Sequence, residues 1–308
     1  MNWLAITIVA YFLLALEIIL DKFLISSKRV SHPAIYSFYT SAIGLSAIFL
    51  APFGFHIISL YKIIFSFVAG IIFAYGMLSL FFAINKGEAS RVLPVVGAVI
   101  PITAFFLSIL FLGERLGSKG ILGIILLIFG GLLISFDLKE KKTKIFFHGF
   151  HFSILAGFLL ALSAIFFKTL YNQDDFLNVF IWTRMGAFLG ALTFILIPFW
   201  REAILGSLFK FKKPERSGKK SGFCFLLAKA LGGSGSILKE KATSMALASV
   251  TVVNALVSVQ YVFIFLLGLL FSAWVPEVMQ ERKDFKSVLQ KIGAILIIGF
   301  GLALVSNV

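Results

Sequence analysis

The sequence predicts an all-α, polytopic membrane protein of ten transmembrane helices arranged as two inverted five-helix repeats. Three observations predict it. The 308 residues are 60% hydrophobic and 14% charged, with a mean hydropathy of +1.02, whereas soluble domains carry about 25% charged residues. Ten stretches are apolar over the roughly 20 residues that a helix needs to cross hydrocarbon. The second half of the chain also repeats the first in order and register.

The expected spans are 2–26, 33–53, 61–85, 89–112, 117–136, 148–171, 176–199, 221–241, 245–273 and 285–306. The first is too long for a signal-peptide core and lacks a basic n-region and a small-x-small cleavage site, so it is expected to stay in the mature chain. Connections are short apart from 137–147 and the basic 200–220, which contains REAILGSLFKFKKPERSGKK, so no soluble domain is expected. The net charge of +14 falls mostly in these connections. It reads as membrane-flanking charge and not as a nucleic-acid surface. One cysteine, Cys224, excludes an internal disulfide, and four scattered histidines give no metal-ligand spacing. No cofactor is expected, and the absence of a P-loop pattern disfavours ATP-driven work.

The duplication is visible by sliding the chain on itself. At an offset of 146, FLLALEIILDKFL (12–24) lies on FLLALSAIFFKTL (158–170) with eight of thirteen identities, and Gly44 falls on Gly190. After a 13-residue insertion in the long basic loop the offset is 159, where Gly76, Ala83, Ala89 and Ser90 meet Gly235, Ala242, Ala248 and Ser249. Near the end FGGLLIS (129–135) falls on FGLALVS (300–306). The repeats are therefore expected at 1–140 and 146–308. Each has five spans, an odd number, so the second starts from the opposite side of the membrane. Inverted repeats are the architecture of alternating-access carriers.

The segment GEASRVLPVVGAVIPITAFFLSILFLGERLGSKGILGIILLIFGGLLIS (87–135) resembles the fourth and fifth spans of the drug/metabolite transporter superfamily, and most closely its EamA-type proteins of ten spans. The residues that carry the resemblance are Glu88-Ala89-Ser90, Pro101 and Leu112-Gly113-Glu114-Arg115-Leu116, with Lys22 at the end of span 1 matched by Lys168. The resemblance implies a secondary carrier of a small polar solute, such as an amino acid, working as an exporter or exchanger and not as an enzyme. A lipid-intermediate or lipophilic-cation translocase is the alternative on the same fold, kept open by 37 phenylalanines; a membrane scaffold is a third. The second repeat departs from the pattern, with only Glu281-Arg282 as a loose counterpart of Gly-Glu-Arg-Leu. The family arrangement places both termini in the cytoplasm. The positive-inside count places them outside, because connections after odd-numbered spans hold most of the Lys and Arg.

Charges within spans are costly, about 2.5–3.5 kcal/mol each on insertion scales, and mark candidate sites. Glu17, Arg184 and Lys229 are the three. In the repeat register they face Ser163, Phe38 and Gly70, so none has a charged counterpart. One reading gives the two cations to an anionic group on the solute and makes Glu17 the proton-coupling residue; small multidrug transporters of the same superfamily also carry a Glu in span 1. The other pairs Glu17 with Lys229 or Arg184 as a structural ion pair. Asp21 shares the Glu17 face, and Lys22 and Lys168 are expected to snorkel. Gly232-Gly233-Ser234-Gly235 permits either a broken span 8 or close helix packing. Tyr75 lies across the register from it, next to Gly76. Asn254, Ser258 and Tyr261 share one face of span 9, with Gln260 beside them, as cavity lining or helix contacts. Pro94 and Pro101 should bend span 4. The partners expected are a small-molecule solute and the bilayer, with anionic lipid at the 200–220 loop. The chain is expected to be a monomer or homodimer in the cell membrane.

Overall fold

In hydrocarbon every backbone N–H and C=O must pair within its own segment, and the described residues comply by folding as helices joined by short turns. The computed structural model describes residues 2–25, 32–86, 89–135, 149–209, 217–245, 249–271 and 285–305. Its α-helices are α1 (Trp3–Ile25), α2 (Pro33–Gly44), α3 (Leu60–Lys86), α4 (Ala89–Leu112), α5 (Ser118–Ser135), α6 (Phe150–Tyr171), α7 (Phe176–Thr193), α8 (Pro198–Phe209), α9 (Ser217–Ser244), α10 (Val250–Ala255), α11 (Val257–Phe271) and α12 (Phe285–Val305). α2 continues as a 3-10 helix over Leu45–Phe53, around Pro52. Seven helical segments are long and apolar enough to cross a membrane, and Ser118–Ile134 and Leu289–Val305 are shorter apolar helices. α9 covers the position of the expected eighth span. Large apolar side chains lie on the outside, among them Phe49, Ile57, Leu110 and Leu196, all more than two-thirds exposed. In an integral membrane protein that belt faces lipid.

Local chemistry sets the ends. His32 caps α2, its Nδ1 accepting the Ala34 N–H at 3.2 Å, with Pro33 opening the helix. Gly113, at φ +64, ends α4 in the left-handed conformation that lacks a penalty only for glycine. The following Glu114 reaches back to the start of α10, where it accepts from Ser249 Oγ at 2.8 Å and from the Val250 N–H at 3.3 Å. The Glu of the Leu-Gly-Glu-Arg-Leu motif is thus a helix cap between the halves of the chain.

Packing recurs in pairs related by the sequence register. α1 lies along α9, and α3 lies along α6. A side chain on Gly76 would meet Leu159 and Leu160, and one on Gly235 would meet Leu13 and Leu14, the residues 146 positions earlier. In the same way Gly130 of α5 sits on Ala294, Ile297 and Ile298 of α12, while Gly301 sits on Gly123, Leu126 and Leu127. Small residues let these helices approach where no hydrophobic force drives them together.

Of the two readings of Gly232–Gly235, α9 is continuous there, with Gly235 packed on Leu13 and Leu14; the irregularity falls in span 9, at Leu256 between α10 and α11. Elsewhere the structure corrects the sequence reading. Lys168 does not snorkel: it is 4% exposed and donates to the Thr243 and Met245 carbonyls, both at 2.8 Å, closing the end of α9. α4 runs as one helix with Pro94 and Pro101 inside it. The basic connection begins as a helix, α8, whose Ile204 is fully buried against Phe38, Ala191 and Phe194. Residues 210–216 of that connection, the Glu281-Arg282 pair and the side chains of Asp21 and Lys22 lie outside the described residues.

Candidate functional site

α9 carries the polar centre of the molecule. Lys229, Gly232, Gly233, Ser236 and Glu240 recur at intervals of three or four and share one face of it. The stripe extends about 16 Å along the axis from Lys229 to Glu240. Two ion pairs form on it. Lys229 Nζ donates to Glu17 Oε1 of α1 at 2.8 Å, with side-chain exposures of 9% and 20%. Its ammonium also lies 5.1 Å from the centre of the Tyr36 ring of α2. The Glu17 carboxylate occupies the space where any side chain at 232 would begin, so Gly232 is its seat.

One to two turns further on, Arg184 of α7 lies 3.8 Å from Glu240 and donates from Nη2 to Ser236 Oγ at 3.2 Å. The rings of Phe73 and Phe180 pack on its guanidinium with centres at 4.9 and 4.7 Å, a cation–π contact that offsets part of the desolvation. Tyr171 of α6 donates to the second Glu240 oxygen at 3.3 Å. The three charges singled out in the sequence therefore come together on one helix face, joined by a fourth, Glu240, which sequence reasoning passed over. Glu240 sits between Lys239 and Lys241 and reads as part of a solvated end; the signal was its spacing from Lys229 and Ser236.

The helices around this stripe pack unequally. α3 and α7 form a tight seam, in which the space for a side chain at Gly70 is filled by Thr183, Gly186 and Ala187 backbone, and a Cβ at Gly190 would lie 2.9 Å from Ile71 Cα and 3.0 Å from Ala74 Cβ. The register maps this seam onto α9 and α2. There Lys229 replaces Gly70. Among the described residues, a Cβ at Gly44, the counterpart of Gly190, would meet only Arg184 Cδ, at 3.8 Å, and one at Gly233, the counterpart of Ala74, would meet nothing within 4 Å. A gap thus separates α2 from α9, with Arg184 on its wall. At the α3–α7 end a clasp holds the seam. Lys62 donates to Asp174 Oδ2 at 2.9 Å and to the Gln173 carbonyl at 2.8 Å, and Asn178 Nδ2 donates to Asp174 Oδ1 at 3.2 Å. Burial pushes the Asp174 carboxyl up, but the hydrogen bonds from Lys62, Asn178 and the Asp175 N–H outweigh it and hold it below its ordinary range.

Residues 1–136 match the model of the EamA-like transporter family. The similarity to that family covers the first part of the chain. No curated protein matches the sequence, but 28 chains of solved structure match the fold. One, titled only as the crystal structure of a protein, superposes with a TM-score of 0.62 at 16% identity, covering 97% of this chain and 96% of its own. The fold shared with that structure therefore extends across both halves, and the chain is an integral, multi-pass membrane protein whose residues 1–136 are similar to a transporter family.

The remaining candidates of the sequence lie elsewhere in this fold and have internal partners. Tyr75 shares a 2.8 Å hydrogen bond with Thr193 across the α3–α7 seam. Asn254 donates to the Val250 carbonyl at 2.9 Å and Ser258 to the Ala255 carbonyl at 3.1 Å. Tyr261 donates to the Leu93 carbonyl of α4 at 2.9 Å, its hydroxyl filling the space beside Gly97. Ser258 and Tyr261 do border a small pocket between α4, α5 and α11, with Pro94 and Gly131. All four make helix contacts, Ser258 and Tyr261 at the edge of that pocket, apart from the charged set.

Proposed function

We propose that this chain is a secondary carrier of a small polar solute in the cell membrane, working by exchange between two inverted repeats as exporter or exchanger. The observation that carries this reading is the unequal pair of contacts: α3 closed on α7, and the register-equivalent α9 held off α2. A two-repeat carrier exposes its midplane site to one side at a time, because one repeat takes the conformation that the other has left. The paired contacts of Gly76 with Gly235 and of Gly130 with Gly301 support the exchange. Charge supports it as well, since two ion pairs beside the gap are costly to hold in a membrane for packing alone.

Glu17 is the proton-coupling group of this reading. It is the more exposed member of its pair, and protonation would break the bond to Lys229 and free α1 from α9. The test is counterflow in proteoliposomes with labelled amino acids, sugar phosphates and lipophilic cations. Solute-specific exchange that a proton gradient drives in the wild type, and that Glu17→Gln uncouples from the gradient, is the expected result. No exchange of any class by folded protein contradicts the reading, and uptake of lipophilic cations alone moves it to a lipophilic-cation translocase.

A further inference from the structure

One buried group holds more hydrogen-bonding capacity than the protein uses. Arg184 is 7% exposed, and a guanidinium offers five N–H donors in a planar fork. Among the described residues only its Nη2 donates, to Ser236. Glu240 Oε1 lies beyond hydrogen-bond distance at 3.8 Å, and the other Glu240 oxygen is taken by Tyr171. Lys229 differs in kind, because its ammonium is bound to Glu17 at 2.8 Å. Arg184 also borders the α2–α9 gap, its Cδ facing Gly44. Phe38 holds its register position in the first half, so repeat symmetry does not explain the cation.

A cation that is buried, in loose contact with its counter-charge and short of acceptors has the geometry of a site awaiting an anion. The guanidinium edge matches two oxygens of one planar or tetrahedral oxyanion. We propose that Arg184 is an oxyanion subsite opening on the α2–α9 gap, which takes a carboxylate or phosphate group, and that Glu240 is its resting counter-charge, loosened when the oxyanion binds. Placing that group on the transported solute rests on the carrier reading; the binding itself does not. Ser236 sets the rotamer of Arg184, and Phe73 and Phe180 exclude water from it.

The test is isothermal titration of the full chain in detergent with benzoate, with inorganic phosphate, and with benzylammonium as the cation control. At least one anion binds saturably. Arg184→Gln weakens that binding about tenfold or more, as loss of a charge-assisted hydrogen bond implies. Glu240→Gln tightens it, because the competing charge is gone. Benzoate without phosphate assigns a carboxylate, and the reverse assigns a phosphate. Failure of both anions to bind, or equal binding by Arg184→Gln, overturns the proposal. If Arg184→Gln does not fold, Glu240→Gln decides alone, and unchanged or weaker anion binding overturns it. Anion binding without flux removes the carrier reading and leaves the subsite; exchange of a polar solute without anion binding does the opposite.

Discussion

Gly70 and Lys229 occupy the same place in the two halves of the chain and do opposite things. At Gly70 the absence of a side chain lets the α3 and α7 backbones touch. At Lys229 a long cationic side chain reaches across to Glu17 and Tyr36, and α9 stands away from α2. The flanking positions agree, since Gly190 is packed where Gly44 faces a gap. The frame of the repeats is conserved within the chain by small residues and leucines, and the asymmetry is written by charge at a few positions. That division explains how nearly equivalent halves can hold unequal conformations.

The largest expected effect comes from breaking the ion pair between α1 and α9. Lys229→Met removes its cation and should cost about 3–5 kcal/mol, while Glu17→Gln with Lys229→Met together should cost much less. Thermal melts of the single and double variants in detergent check the coupling, and additive losses would show that the pair does not interact. Next is the seam. Gly70→Ala drives a methyl into Thr183 and Ala187 backbone and should destabilise by about 1–3 kcal/mol, whereas Gly233→Ala, facing open space, should leave the melting temperature within error. Equal effects at the two sites would erase the distinction between seam and gap.

Much of this was legible in the sequence because it depends on composition and period. Ten apolar runs, the register of FLLAL at 12 and 158, and the three unmatched charges all follow from residue type and spacing. What was not legible depends on which faces meet. Tyr75, Asn254, Ser258 and Tyr261 are polar residues on helical faces, but each finds a carbonyl or hydroxyl partner in a neighbouring turn or helix, a choice that periodicity does not encode. Glu240 was hidden by two flanking lysines. Lys168 looked like a snorkelling cation because the end of α9, which it closes, is distant in sequence.

A smaller effect is expected at the clasp. Asp174→Asn removes the carboxylate that Lys62, Asn178 and the Asp175 N–H hold, and should cost about 1 kcal/mol at neutral pH. Because the folded carboxyl is held below its ordinary value, its contribution is present above the unfolded pKa of about 4 and fades as pH falls through the folded value. Melts of wild type and Asp174→Asn should therefore converge below about pH 4, and a constant difference down to strong acid would contradict the assignment. The smallest effect is expected at Tyr75→Phe, which loses one hydrogen bond to Thr193 for about 0.5–1.5 kcal/mol and leaves counterflow intact.

The central claim is that the seam and the gap exchange. Four lipid-side positions report it directly, because Val68 and Leu189 on α3 and α7 are register-equivalent to Leu227 and Ile43 on α9 and α2, and all four are at least one-third exposed. Spin labels on the Val68/Leu189 pair and on the Ile43/Leu227 pair, measured by pulsed dipolar spectroscopy in nanodiscs, give the two distances independently. The account predicts a short dominant distance for the first pair and a long one for the second, with added solute shifting the two populations in opposite directions. Two equal distances, or two that lengthen together, would contradict it.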